Sequence, residues 1–368
     1  MRPLAKRVSQ TEASGIRKVF DLGQSLKNPV NLSIGQPHFD VPDALREKAA
    51  EAIRSGKNAY TPTQGCQELR AALKAGPLAG YQDNQILVTS AVSGGLLLAY
   101  MALLDAGDEI LLPDPYFVMY KQLAFMFDAK PVFYDTYPDW KLNVARIESL
   151  ITPRTKAIMI GSPSNPTGAV YSREELEGVA ALLKKHDIIA VSDEIYEAFC
   201  YDSPFVSLRQ ICPEQTIALG GFSKSHAMTG WRVGWAAGPA ELVQAMTKFQ
   251  QFSFVCAPAP FQVASAFAVE YDMSTEVADY KHKRDMMYEG LKAAGYELEK
   301  PGGSLYVFPK LPWGTGLEFV ETCIKNNLLV IPGNCFSERD THFRAVFAAK
   351  DETIEQGIAI LKKLIKKP

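Results

Sequence analysis

The run Gly221-Phe-Ser-Lys224-Ser-His-Ala-Met-Thr-Gly-Trp-Arg232-Val-Gly234 holds the densest set of residues able to do chemistry. A lysine follows the apolar stretch Thr216-Ile-Ala-Leu219, and an arginine stands eight positions further on. A deprotonated lysine attacks carbonyls, and an arginine grips phosphate through two parallel hydrogen bonds. Two solvated surface charges would satisfy the same spacing, and the residues alone leave the two readings level. What sets this loop apart is its place after a core strand and its crowding with Gly, Ser and Trp.

Three other runs belong beside it. Ser162-Pro-Ser-Asn165-Pro-Thr-Gly168 reads by itself as a turn, since Asn-Pro and Thr-Gly are turn formers. Ser192-Asp193-Glu-Ile-Tyr196 directly follows the apolar residues 188–191. Asp193 there is either a helix cap or a negative charge held opposite a buried cation. Thr89-Ser-Ala91-Val92-Ser93-Gly-Gly95 lies between a strand and a helix. Backbone N–H groups at a helix start bind phosphate well. The run lacks the Gly-Lys-Ser/Thr of a P-loop and does not match Gly-x-Gly-x-x-Gly.

The elements that must position these runs are short and apolar. Strands are expected at 86–89, 109–112 (ended by Pro113 and Pro115), 132–134, 157–160, 188–191, 216–219 and 233–236. Helices are expected at 94–104 and 172–185, the latter opened by a capping box from Ser172 to Glu175. This alternation predicts an α/β fold, a mostly parallel central sheet with helices on both faces. Ligands of such sheets sit at the carboxyl ends of the strands, where the four runs fall. After about residue 270 the texture changes. A charged helix (277–294) leads to strands at 304–308, 328–331 and 343–348, a helix near 317–326 and a final basic helix. This predicts a smaller α+β domain of 1–40 with 271–368, beside a large domain of 41–270.

The bulk numbers bound the rest. With 368 residues, 47% hydrophobic and 22% charged, the chain is of ordinary globular composition. Its formal net charge of −2 gives no field that draws in nucleic acid or an anionic membrane. Cys66, Cys200, Cys212, Cys256, Cys323 and Cys335 are scattered, with no Cys-x-x-Cys pair and no nearby pair of histidines. A zinc site or disulfide framework is therefore not expected, and reduced thiols point to the cytoplasm. Two uncharged stretches, 84–104 and 249–269, approach the length of a membrane helix. Their Gly, Ser, Gln and Pro residues mark them as buried strand–turn–helix and helix–loop material instead. Arg2, Lys6 and Arg7 have no apolar core behind them, so no secretory signal is read; Glu12 and Asp21 argue against a transit peptide.

Taken together, the order and spacing of the four runs resemble the fold-type I pyridoxal-phosphate enzymes. The resemblance is to the class I/II aminotransferases, which include aspartate aminotransferase. It extends from about Asn31 to Phe347. Ser-Lys followed by Thr-Gly-Trp-Arg-Val-Gly carries it most strongly, supported by Asn-Pro-Thr-Gly and Asp-Glu-Ile-Tyr. Ile34-Gly35-Gln-Pro, Tyr60-Thr-Pro-Thr-Gln-Gly65, Pro115-Tyr-Phe117 and His342-Phe-Arg344 match as well. The resemblance implies that Lys224 holds pyridoxal 5'-phosphate as an imine and shuttles a proton. Asp193 would pair with the protonated ring nitrogen, which keeps the ring an electron sink. Asn165 and Tyr196 would bond the ring oxygen, and Phe117 would stack on the ring. Arg232, Ser93 and the N–H groups near Ala91 and Val92 would hold the phosphate. Tyr60 would reach the phosphate of a neighbouring subunit, implying a homodimer with shared sites. Arg344 would bind the substrate α-carboxylate, with Gly35 and Asn165 close by. The reaction implied is ping-pong transfer of an amino group from an amino acid to a 2-oxo acid.

The chain departs from the family pattern at Gly221, where relatives often carry a hydroxyl and for which Ser223 is the candidate substitute. It departs again at His38, where many have Asp. His38 reads equally as a surface histidine, and His226 reads as structural. Two rival functions share the motifs. A carbon–sulfur β-lyase or related synthase would use the same cofactor residues, and a ligand-sensing domain of a transcription regulator could keep the fold. About thirty residues precede the first family motif, too few for the fused winged helix such a regulator would carry, which weighs against the second. Specificity is not fixed by these motifs; Tyr116, Phe117 and Tyr120 suit an apolar or aromatic side chain, with 2-oxoglutarate or a similar acid as the partner.

Overall fold

The computed structural model describes residues 4–11, 15, 19 and 26–367. Arg2, Glu12 and Asp21 of the transit-peptide argument lie outside the described residues. The strands are β1 (Val30–Asn31), β2 (Ile86–Thr89), β3 (Glu109–Asp114), β4 (Lys130–Asp135), β5 (Thr155–Gly161) and β6 (Ile189–Asp193). They continue with β7 (Thr216–Gly221), β8 (Gly234–Ala237), β9 (Tyr306–Val307), β10 (Leu328–Leu329), β11 (Ile331–Pro332) and β12 (Phe343–Val346).

A seven-stranded sheet runs in the order β2-β8-β7-β6-β5-β3-β4. Every neighbouring pair is parallel except the two that involve β8. Alternation along each strand divides its side chains between two cores. Ala157, Met159 and Val191 face one cluster, with Leu96 of the Ala91–Leu103 helix and Val243 and Met246 of the Ala240–Ser253 helix. Ile158, Ile160 and Ala190 face the other, with Leu176, Val179 and Leu183 of the Arg173–His186 helix. That helix is capped as expected: Ser172 accepts from Glu175 N–H while Glu175 accepts from Ser172 N–H. The two uncharged stretches are β2 with the helix after it, and the end of one helix, a loop and the Ala259–Ala268 helix. Among the described residues no helix is long and apolar enough to cross a membrane.

Beyond this sheet lie an antiparallel one, β11-β12-β9, and the parallel pair β1-β10. They share a core with Tyr280, Met287 and Leu291 of the Ser274–Ala294 helix and Ile354 and Leu361 of the Asp351–Lys363 helix. Val30 and Leu32 join the same core.

Three expectations are corrected. Strand β3 continues through Pro113 to Asp114. Pairing with β5 ends at Leu111, so the missing proline N–H interrupts no ladder on that side. The single strand expected at 328–331 is two, because β10 pairs with β1 while β11 pairs with β12. The strand expected from Ser304 starts at Tyr306, since Ser304 has left-handed backbone (φ 60°).

Candidate active site

A cavity of about 620 Å³ opens at the carboxyl ends of β5, β6 and β7 and is closed on one side by β9 and β12. Gly35, Ala91, Val92, Ser93, Phe117, Asn165, Asp193, Tyr196, Lys224, Arg232 and Arg344 all line it. Tyr60 is elsewhere, 83% exposed and outside the lining, and Tyr116, expected to suit a substrate side chain, is also outside it, buried with its hydroxyl donating to Glu338 Oε1 at 2.7 Å.

Each side chain arrives there for a local reason. Asp193 ends β6 and Glu194 follows it directly, and the two consecutive side chains point to opposite sides. Asp193 faces the cavity and accepts from Tyr120 Oη (2.7 Å) and Ile195 N–H (3.2 Å). Glu194 turns away and is bound by Arg209, Ser192 and Ser207. The Ala91–Leu103 helix begins at the cavity with Ala91 in the left-handed region (φ 57°). Its backbone approaches β8 so closely that a Cβ on Gly234 would stand 2.9 Å from Ala91 Cα. Arg232 is also left-handed (φ 57°) and donates to the Thr229 carbonyl at 2.9 Å. Non-glycine residues in that conformation cost roughly 1–3 kcal/mol each and concentrate at functional sites. Gly221 has no room for a side chain, because a Cβ would meet Gly234 Cα at 2.9 Å. Ser223 does line the cavity.

Charge is arranged unevenly. Lys224 Nζ donates to the Gly35 carbonyl at 2.5 Å, a neutral partner rather than a carboxylate. Burial pushes the Asp193 carboxyl above its ordinary range, against the hydrogen bonds from Tyr120 and Ile195 and the charge of Lys224. Arg344, 2% exposed, donates to Asn165 Oδ1 and to the Ser33 carbonyl, both at 2.9 Å. Its Nε is buried and has no hydrogen-bond partner among the described residues. Its guanidinium carbon lies 4.5 Å from the ring centre of Tyr306 and 4.4 Å from that of Phe336. A buried cation with an orphaned donor and no carboxylate suits an anionic ligand.

Residues 27–361 match the family model described as aminotransferase class I and II. The chain belongs to the class I and II aminotransferases. It is 35% identical to a probable aspartate aminotransferase of Methanocaldococcus jannaschii, covering 98% of this chain and 99% of that one. It is 34% identical to aromatic-amino-acid aminotransferase 2 of Thermococcus litoralis, covering 99% and 98%. The solved aspartate aminotransferase of Thermus thermophilus with maleate superposes with a TM-score of 0.94 at 32% identity, covering 99% and 100%. The chain is thus an enzyme that transfers amino groups, on the α/β fold expected from its sequence.

The aminotransferase site also holds residues to which motif reading gave no role: Ile34, Pro163 and Thr229 within the quoted motifs, and Ser33, Leu96 and Tyr306 outside them. Tyr120 was read only as an aromatic suited to a substrate side chain, yet it donates to Asp193. Its signal is spacing, three residues after Phe117 on a helical turn. Tyr306 offered no signal, since it sits in an apolar strand far along the chain. His38 is outside the cavity lining, held between Tyr280 Oη (3.2 Å) and Asp279 (3.5 Å). His226 is also outside it, buried beside Ser225 Oγ at 2.8 Å.

Burial lowers the His226 pKa to about 4. The unfolded chain therefore takes up this proton first, and the stability it supports is lost as pH falls from about 6.5 toward 4. The loss is on the order of 3 kcal/mol. His342, lowered to about 4 chiefly by burial, acts in the same direction. Glu197, raised to about 7 by burial, opposes them. Melting curves across this window should show a shallower acid slope for His226→Leu than for the natural chain; parallel curves would refute the assignment.

Proposed function

We propose that this aminotransferase holds pyridoxal 5'-phosphate in the cavity and that Lys224 is its catalytic residue. The observation that carries the reading is the convergence of Lys224, Asp193, Tyr196, Arg232 and Arg344 on one cavity. The residues fit the group. A buried carboxylate raised by burial gains from a cationic ring nitrogen beside it. The free N–H groups at Ala91 and Val92, with Ser93 and Arg232, form an anion cradle. Phe117 provides an apolar ring face, and Asn165 and Tyr196 offer hydrogen bonds to a ring oxygen. When bound, pyridoxal phosphate supplies an electron sink for the charge left at the substrate Cα.

The chain's own residues do the rest. Arg344 binds the substrate carboxylate and, with Gly35 and Asn165, orients the Cα–H toward Lys224. Lys224 takes that proton and returns it. Asp193 keeps a positive charge on the ring side of the cavity. Closure of the part bearing β9 and β12 over the substrate would exclude water, with Arg344 as the link. We divide the chain accordingly into a large part, 41–270, and a small part, 1–40 with 271–368. The shared core of Val30, Leu32, Tyr280 and Ile354 supports this division.

The donor amino acid is read as one with an apolar or aromatic side chain, because Ile34, Leu96, Phe117, Val118 and Tyr306 line the cavity. Glutamate with 2-oxoglutarate is the read partner pair. A homodimer is inferred from exposed Tyr60 and Phe252, with Tyr60 reaching the neighbouring subunit's phosphate; sedimentation would give its mass. A cytoplasmic setting is supported by six free cysteines.

The purified protein tests the reading directly. Its visible band should bleach on adding particular amino acids without an oxo acid, and those amino acids are the donors. A colourless chain that takes up no pyridoxal phosphate would refute it, and a yellow one that never bleaches would favour a lyase, a synthase or a ligand sensor. Arg344→Lys loses the planar two-pronged donor, so KM for every amino acid should rise about 10- to 100-fold. An unchanged KM would detach Arg344 from substrate binding.

A further inference from the structure

Tyr306 touches three groups of the site at once. It stands on β9 and is 2% exposed. Its Oη lies 2.6 Å from Tyr196 Oη, and the two rings meet edge-on at 82°. Its ring lies under the Arg344 guanidinium, 4.5 Å away. A Cβ on Gly35 would stand 2.1 Å from its Oη, so the hydroxyl occupies the space that glycine leaves beside the carbonyl bonded by Lys224.

Two phenols in contact share one hydrogen bond, and its direction matters. If Tyr196 donated to Tyr306, Tyr196 would turn only lone pairs toward the cavity, which repel an acceptor there. If Tyr306 donates, the Tyr196 proton is free to point inward. We propose that Tyr306 is a positioning residue whose hydroxyl donates to Tyr196 and thereby aims the Tyr196 proton at the ligand oxygen in the cavity. The inference rests on the cofactor reading above. It ties the Tyr196 phenol, which follows β6, to the β9–β12 pair that carries Arg344. Tyr196 is faced by Tyr306, Arg344 and Asp193, and its phenol is pushed up first by burial and then by Tyr306.

The test is Tyr306→Phe, which removes one oxygen and keeps the ring under Arg344. In the enzyme loaded with pyridoxal phosphate, the pH midpoint of the visible band should rise by about 0.5–1 unit, the effect of one lost hydrogen bond. KM for the amino acid should stay within about twofold, because the stacking on Arg344 is retained. Tyr196→Phe should raise the midpoint as well, and adding Tyr306→Phe to it should raise it no further. Three results overturn the proposal: an unmoved midpoint in Tyr306→Phe while Tyr196→Phe moves it; equal shifts with and without Tyr196; or a KM that rises while the midpoint stays. A chain that shows no visible band at all fails the cofactor reading instead, and the proposal falls with it.

Discussion

Lys224→Ala is expected to lower turnover by about 10⁴-fold or more, because on the proposed reading it deletes the group that moves the proton at the substrate Cα. The lysine is suited to that task by its surroundings. Its amine donates to the Gly35 carbonyl, which holds it inside the cavity. It comes three residues after the end of β7, at the mouth of the sheet, in the same cavity where Arg344 donates to Asn165. The same variant should lose the visible band of the loaded protein. It should also stop exchange of the amino-acid Cα hydrogen with heavy water, which reports the proton step without requiring turnover. Exchange at the natural rate in Lys224→Ala would assign the proton to another group.

Asp193→Asn should reduce kcat by about 10³-fold, the size of a lost preorganised electrostatic contact. The substitution keeps shape and much of the hydrogen bonding, so it isolates the charge. Asp193 is buried, and its carboxyl is held above the ordinary range by that burial. Tyr120 Oη and Ile195 N–H both aim at it, favouring the ionised form. Tyr120→Phe removes one of those donors and should cost far less, about tenfold, since the charge remains. Full activity in Asp193→Asn would mean that the charge is unused and that Asp193 serves packing alone.

Much of the fold was legible because its strands are short, apolar and separated by capped helices. Ile86–Thr89 was bounded correctly from its apolar run, and the Ser172–Glu175 box located a helix start. What failed were boundaries governed by partners. The split between Leu329 and Ile331 depends on which strand each half meets, and no local pattern records that. The persistence of β3 through Pro113 depends on where its neighbour ends.

The sequence by itself determined the chemistry at short range: a lysine and an arginine eight residues apart in one loop, an acid at a strand end, an asparagine in a turn. Their types and order are written in consecutive residues, so a linear reading finds them. Only the tertiary structure decided which distant residues complete them. Tyr120 reaches Asp193 across 73 positions, Tyr306 reaches Tyr196 across 110, and Arg344 reaches Asn165 across 179. Such contacts follow from how the sheets pack against each other, and a phenol in an apolar strand looks like core until the hydroxyl beside it is known.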